Sequence, residues 1–139
     1  MAMKTYARDV MSTELLSIRE GTTIGEALKM LMEHRITGMP VVDKNGKMVG
    51  VVSEYDIIAQ LSPHLTSKND MKAELFETPV NFSRKVKSVK ESTSLSTVVK
   101  SFVNKSYRRL PVVNERGVLV GMITRRDLMR VFYYRAKLS

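Results

Sequence analysis

There is no cysteine and no tryptophan in the 139 residues, and there are only two histidines. Without thiols the chain cannot be stapled by disulfides or hold a metal through thiolates, so packing alone must stabilise it. No apolar run approaches the length of about 18 residues that a bilayer span needs. No stretch has the order of a signal peptide either. A soluble cytoplasmic protein with no membrane partner is expected. Acidic residues are scarce in one half only. Residues 1–69 hold 8 basic and 8 acidic side chains, whereas residues 70–139 hold 15 and 6, so the whole net charge of +9 lies in the second half. Such an excess suits an anionic partner (nucleic acid, a phosphorylated ligand or an acidic protein face), or is simply a solvated surface.

What the chain does have is one pattern written twice, 71 positions apart without a gap. Met39-Pro40-Val41-Val42-Asp43 returns as Leu110-Pro111-Val112-Val113-Asn114. Gly50 returns as Gly121, and Ser53-Glu54-Tyr55-Asp56 as Thr124-Arg125-Arg126-Asp127. A repeat sets the architecture before any local assignment. In the first copy a short apolar stretch, Leu15 to Ile18, precedes Gly21-Thr22-Thr23. Ile24, Ala27, Leu28, Leu31 and Met32 then fall on one helical stripe behind a Thr23/Glu26 capping signal. Leu95, Val98, Val99, Phe102 and Val103 repeat it behind Ser94. Met39 to Val42 and Met48 to Ser53 read as buried strands about an Asn45-Gly46 turn. Leu110 to Val113 and Leu119 to Thr124 are their counterparts. A final helix starts after Ser53 and again after Thr124, the second running past Tyr133 and Tyr134 toward Lys137.

The expected fold class is therefore α/β (α+β), two pseudo-symmetric β-α-β-β-α repeats packed sheet to sheet with helices outside. Repeat 1 spans 1–62 and repeat 2 spans 81–139. A linker over 63–80 joins them, with a short helix near Lys68 to Glu77. Met30, Met32, Met39 and Met48 are expected as adaptable core. Tyr133 and Tyr134 are expected as core in preference to a dimer contact.

The Ser53-x-x-Asp56 and Thr124-x-x-Asp127 pairs carry the chemistry. A hydroxyl and the free N–H groups of a helix start favour a phosphate. A carboxylate can accept the two adjacent hydroxyls of a ribose. The same four residues also make an ordinary helix cap. No nucleophile accompanies them, and His34 and His64 have no partner at metal-ligand spacing. No catalytic residue, no metal and no enzyme activity are expected.

The repeat resembles the cystathionine β-synthase (CBS) domain, and two in tandem resemble a stand-alone Bateman module. The resemblance runs from about Tyr6 to Phe132. It rests on Asp9-Val10-Met11-Ser12, on Gly38 to Asp43, on Gly50 to Asp56, and on Arg109 to Asn114 and Gly121 to Asp127 in the second copy. It implies a regulatory module that senses an adenosine-containing ligand (AMP, ADP, ATP, NAD or S-adenosylmethionine) and modulates a separate protein, with no catalytic cofactor. It also implies a homodimer formed through the helices. By the same resemblance each site takes its hydroxyl and Asp from one repeat and is completed by the other. The main site would hold Thr124, Asp127, Arg108 and Arg109, with Met11, Ser12, Leu16, Ile36 and Thr37 from the first repeat. Arg108 and Arg109 stand where similar modules bind phosphate, and a guanidinium fork matches one. The weaker site would hold Ser53, Asp56, Phe82, Ser83, Lys87, Tyr107 and Arg108, with Thr37 and Gly38 in place of the arginine pair. The alternatives are a basic nucleic-acid-binding module, resting on Arg84-Lys85-Val86-Lys87 and Arg125-Arg126, or a purely structural interaction module with no small-molecule ligand.

Overall fold

The structure, a computed structural model, describes residues 4–65 and 71–138. The chain forms two compact units, Leu16–Val86 and Met1–Leu15 together with Lys87–Ser139. This division differs from one drawn at the repeat boundaries of 1–62 and 81–139. The segment that leads each repeat folds with the other repeat's sheet.

In Leu16–Val86 the order is β1 (Ile18–Arg19), α2 (Ile24–Glu33), β2 (Gly38–Val42), β3 (Met48–Ser53) and α3 (Glu54–Leu61), α1 (Ala7–Val10) having come earlier in the other unit. The second repeat supplies β4 (Val89–Lys90), α4 (Leu95–Lys105), β5 (Arg109–Val113), β6 (Leu119–Thr124) and α5 (Arg125–Leu138). Each sheet has three strands, in the orders β1-β2-β3 and β4-β5-β6, with the first pair parallel and the second antiparallel. The register repeats as the sequence does, down to a bulge at Val41/Val42 and again at Val112/Val113.

Pro40 and Pro111 explain two features of these sheets. Each lies in a central strand, where a missing N–H normally breaks a ladder. Pro40 stands opposite Val51, whose N–H and C=O turn away and bond Ser83 at 2.9 Å each. Pro40 thus faces the β1 side, and β1 pairs only with Val41 and Val42. A proline cannot donate to a strand continued back toward Leu15, so the expected Leu15 to Ile18 strand shrinks to Ile18–Arg19. The outward edge at Val51 is what the Ser83 segment covers. In the other unit Met122, opposite Pro111, bonds Ser12 in the same way, at 2.9 and 3.0 Å.

The helices pack as their stripes require. Ile24, Ala27 and Leu31 of α2 are buried with Met39, Val41, Val52 and Ile57. Leu95, Val98 and Phe102 of α4 are buried with Leu110, Val112, Ile123 and Leu128. Each large apolar side chain so buried contributes roughly 1.5–3 kcal/mol before entropy is subtracted. Thr23 and Ser94 accept the N–H of Glu26 and Thr97, capping both helices. Both helices stop at a left-handed residue, Arg35 and Ser106, again 71 apart.

Some expectations fail. Met39 is buried, but Met32 is 70% exposed, the α2 residues that pack on the core being Ile24, Ala27 and Leu31 with Leu28 and Met30 partly buried against it. Tyr133 and Tyr134 are more than half exposed and stack edge to face on each other, 5.5 Å between ring centres. They follow Leu128, the last buried residue of α5 among the described residues. Of the expected Lys68 to Glu77 helix, residues 68–70 lie outside the described residues. The remainder is a 3-10 turn over Ala73–Glu77. No helix among the described residues is long and apolar enough to cross a membrane.

Candidate functional site

β6 ends at Thr124 and α5 starts at the next residue, so Thr124 sits where extended backbone turns into helix. Its side chain and that of Asp127 form a reciprocal cap. The Thr124 N–H and hydroxyl donate to Asp127 Oδ2 at 2.8 and 3.0 Å, and the Asp127 N–H donates to Thr124 Oγ1 at 3.2 Å. Ser53 and Asp56 repeat this arrangement, with 2.8 and 2.9 Å to Oδ2 and 3.3 Å back to Ser53 Oγ. The cap and the ligand-holding carboxylate are therefore compatible descriptions of the same side chain. Oδ2 is filled by the cap, while Oδ1 keeps its own lone pairs.

The copies differ at Oδ1. Arg130 Nη1 lies 3.5 Å from Asp127 Oδ1, with its side chain 58% exposed. The residue 71 positions earlier is Ala59. Asp127 is also the buried member, at 8% exposure and the one buried charged residue among the described residues, whereas Asp56 is half-buried.

Cross-strand register brings the arginine to the hydroxyl. Arg109 is the partner of Thr124 across β5 and β6, and directly opposed side chains share a face. Gly38 holds the same place opposite Ser53. It tolerates no larger residue without movement, since a Cβ there would lie 2.9 Å from the Val52 carbonyl oxygen. Arg108 is exposed, and its carbonyl accepts the Arg125 N–H at 3.3 Å, tying this segment to the start of α5. Met11 lies over Gly121, and Ser12 bridges Met122. One unit thus contains Thr124, Asp127, Arg108, Arg109, Met11 and Ser12. Leu16, Ile36 and Thr37 belong to the other unit.

That other unit contains Ser53, Asp56, Phe82 and Ser83. Phe82 lies over Gly50, Ser83 bridges Val51, and the Thr37 carbonyl accepts the Glu54 N–H at 3.0 Å. Lys87 and Tyr107 fall in the unit of Thr124 and Asp127.

Two arginines escaped the sequence reading of the site. Arg125 turns its guanidinium back to the carbonyls of Tyr107 and Ser106, at 2.8 and 3.0 Å, and so braces the segment before Arg108. Its place directly after the hydroxyl was the available signal. Arg130 could have been found from its i+3 spacing to Asp127. The basic run Arg84 to Lys87 is exposed, as its composition suggested. Arg84 pairs with Glu20 at 3.1 Å and lies over the Phe82 ring. Among the described residues no group of three His, Asp or Glu side chains gathers as a metal would need.

Comparison with known proteins gives this geometry a family. The CBS domain model matches residues 7–63 and again 80–134. The chain is 37% identical over 138 residues to the chloroplastic CBS domain-containing protein CBSX1 of Arabidopsis thaliana, covering 84% of this chain and 58% of that protein. It thus spans a little over half the length of that relative. The crystal structure of CBSX2 in complex with AMP superposes with a TM-score of 0.75 at 30% identity, covering 94% of this chain and 98% of that one. The CBS domain pair of protein MJ0100, in complex with 5′-methylthioadenosine and S-adenosyl-L-methionine, superposes with a TM-score of 0.69 at 26% identity, covering 96% and 99%. Two matched copies, two like sheets and the twice-built hydroxyl–carboxylate cap together establish that the chain belongs to the CBS domain family, as a tandem pair.

Proposed function

We propose that this chain is a regulatory module that binds an adenosine-containing ligand (AMP, ADP, ATP, NAD or S-adenosylmethionine) and signals its presence to a separate protein. The observation that carries the reading is the Thr124–Asp127 pair. It leaves one carboxylate oxygen outside the helix cap, at a strand end where Arg109 stands opposite the hydroxyl. A ribose hydroxyl can donate to Asp127 Oδ1, and a phosphate suits Arg109, Arg108 and the N-terminal turn of α5. The adenosine shared by the ligands of CBSX2 and MJ0100 supports the same chemistry. The main site holds Thr124, Asp127, Arg108, Arg109, Met11 and Ser12. The Ser53–Asp56 pair, with Gly38 where the other copy has Arg109, is the weaker site.

A thermal-shift screen of the five ligands at two salt concentrations tests this reading. A ligand that binds only the folded state raises its stability by about 2.7 kcal/mol at 100 times its Kd. A saturable rise with at least one ligand, kept at high salt, is expected. A shift with any polyanion that vanishes with salt would favour the nucleic-acid reading. No shift at all would favour a purely structural module. Arg109 gives a sharper test. Arg109→Ala should weaken AMP roughly tenfold or more, the worth of a hydrogen bond to a charged group, and leave adenosine nearly unchanged by calorimetry. Equal losses would remove phosphate reading from Arg109.

A homodimer through the helices completes the proposal. Exposed apolar side chains recur at repeat-equivalent places, Met32 with Val103 and Ile58 with Met129. Four exposed apolar side chains on helices suit an interface better than a solvated face. The combined Ile58→Asp and Met129→Asp variant should elute as a monomer by light scattering, with the wild type at twice that mass. Unchanged mass would place the contact elsewhere. Regulation then requires that the ligand bind two conformations with different affinity.

A further inference from the structure

The two copies of the carboxylate are set apart by what stands three residues further along the helix. We infer that Arg130 makes the second-repeat site discriminate against ligands that carry no phosphate, by competing for the carboxylate oxygen the ribose needs. The inference rests on the ligand reading above and goes beyond it to specificity.

The capacity of Asp127 is limited. Oδ2 already accepts two hydrogen bonds from Thr124, so a ribose hydroxyl must use Oδ1. Arg130 Nη1 faces that oxygen at 3.5 Å. A nucleoside that takes Oδ1 turns the guanidinium out to water and brings no charge to replace the carboxylate it loses. A phosphorylated ligand brings an anion to the same end of the strand, where a long arginine on the first turns of α5 can stay within its field. Arg130 therefore costs the uncharged ligand something that the charged ligand returns. In the first repeat Ala59, which carries no side-chain donor, occupies the equivalent position. That site lacks both the latch and the arginine pair, so it suits a ligand with little or no charge.

The ion pair is weak because Arg130 is mostly solvated, and its removal is expected to tighten adenosine by about two- to fivefold. Calorimetry with adenosine and AMP tests this in an Asp56→Ala background, where only the Asp127 site remains. Arg130→Ala should tighten adenosine and weaken AMP, so that the ratio of the two affinities collapses. Salt supplies a readout that a packing role would not move. Adenosine is uncharged, so raising salt should loosen the Arg130 pair and tighten adenosine on the parent, but not on Arg130→Ala. The reciprocal Ala59→Arg, in an Asp127→Ala background, should weaken adenosine at the Asp56 site. If adenosine binds and Asp127→Ala removes it, yet Arg130→Ala changes neither the ratio nor the salt response, the latch is wrong and the ligand reading survives. If neither ligand binds the parent, both are wrong.

Discussion

Asp127→Asn is expected to weaken AMP by roughly 10- to 100-fold, while Asp56→Asn changes it less than threefold. The estimate follows from losing hydrogen bonds to an ionised, nearly buried acceptor, each worth about 1.5–3 kcal/mol. Asparagine is chosen because its amide oxygen can still accept from the Thr124 N–H, which keeps the α5 cap and separates binding from folding. Alanine would also remove the reciprocal half of the cap, the two bonds from Thr124 to Oδ2, and leave only the N–H of residue 127 donating to Thr124 Oγ1. The asymmetry rests on three differences between the copies. Asp127 is the more buried, Arg109 stands opposite its hydroxyl where Gly38 stands in the first copy, and Arg108 adjoins it. Isothermal titration of AMP into both variants decides the matter. Equal losses would mean that the two sites share the nucleotide, and a larger loss at Asp56 would reverse their assignment.

Gly50→Ala should lower the melting midpoint by roughly 5–10 °C, more than Gly121→Ala does. Both glycines lie at the middle of the last strand of a sheet, where the exchanged segment crosses. A Cβ at Gly50 would overlap the Ser83 carbonyl oxygen and lie 2.6 Å from the Phe82 ring. Ser83 is held there by two backbone hydrogen bonds to Val51 and cannot retreat without breaking them. The atoms nearest a Cβ at Gly121 belong to the Met11 side chain, whose Sδ and Cγ can rotate aside where a paired backbone carbonyl cannot. Scanning calorimetry on both variants gives the order. If Gly121→Ala proves the more damaging, backbone crossing is not what these glycines serve.

These glycines also mark how far the sequence could be followed. The hairpin about Gly46 and its counterpart, the helix stripes and the paired caps were all legible, because each is set by neighbours within about ten positions. The 71-residue period then carried every assignment from one copy to the other. The exchange of leading segments is implied by the family resemblance, which joins Met11 and Ser12 to Thr124 and Asp127, whereas the local sequence hardly shows it. Ser12 pairs with Met122, and Ser83 with Val51, through backbone atoms that every residue possesses. The one local trace was the pair of glycines, whose missing side chains make room for the crossing. Met32, Tyr133 and Tyr134 were placed in the core because hydrophobicity marks what could be buried. How much sheet lies beneath a helix end is a property of the assembled unit. At the site the residue types were legible and their occupancy was not. Sequence showed a carboxylate with two oxygens, and only the geometry shows that one is taken by the cap and the other is faced by Arg130.

The claim that a nucleotide rests on the end of β6 and the start of α5 is tested most directly by titrating AMP into the labelled protein and following backbone amides by NMR at low and high salt. The amides of Arg109 and of Thr124 to Asp127 should shift together, saturate at one equivalent and keep that response at high salt. Shifts confined to the Arg84 to Lys87 run, growing without saturation and lost as salt is raised, would contradict it.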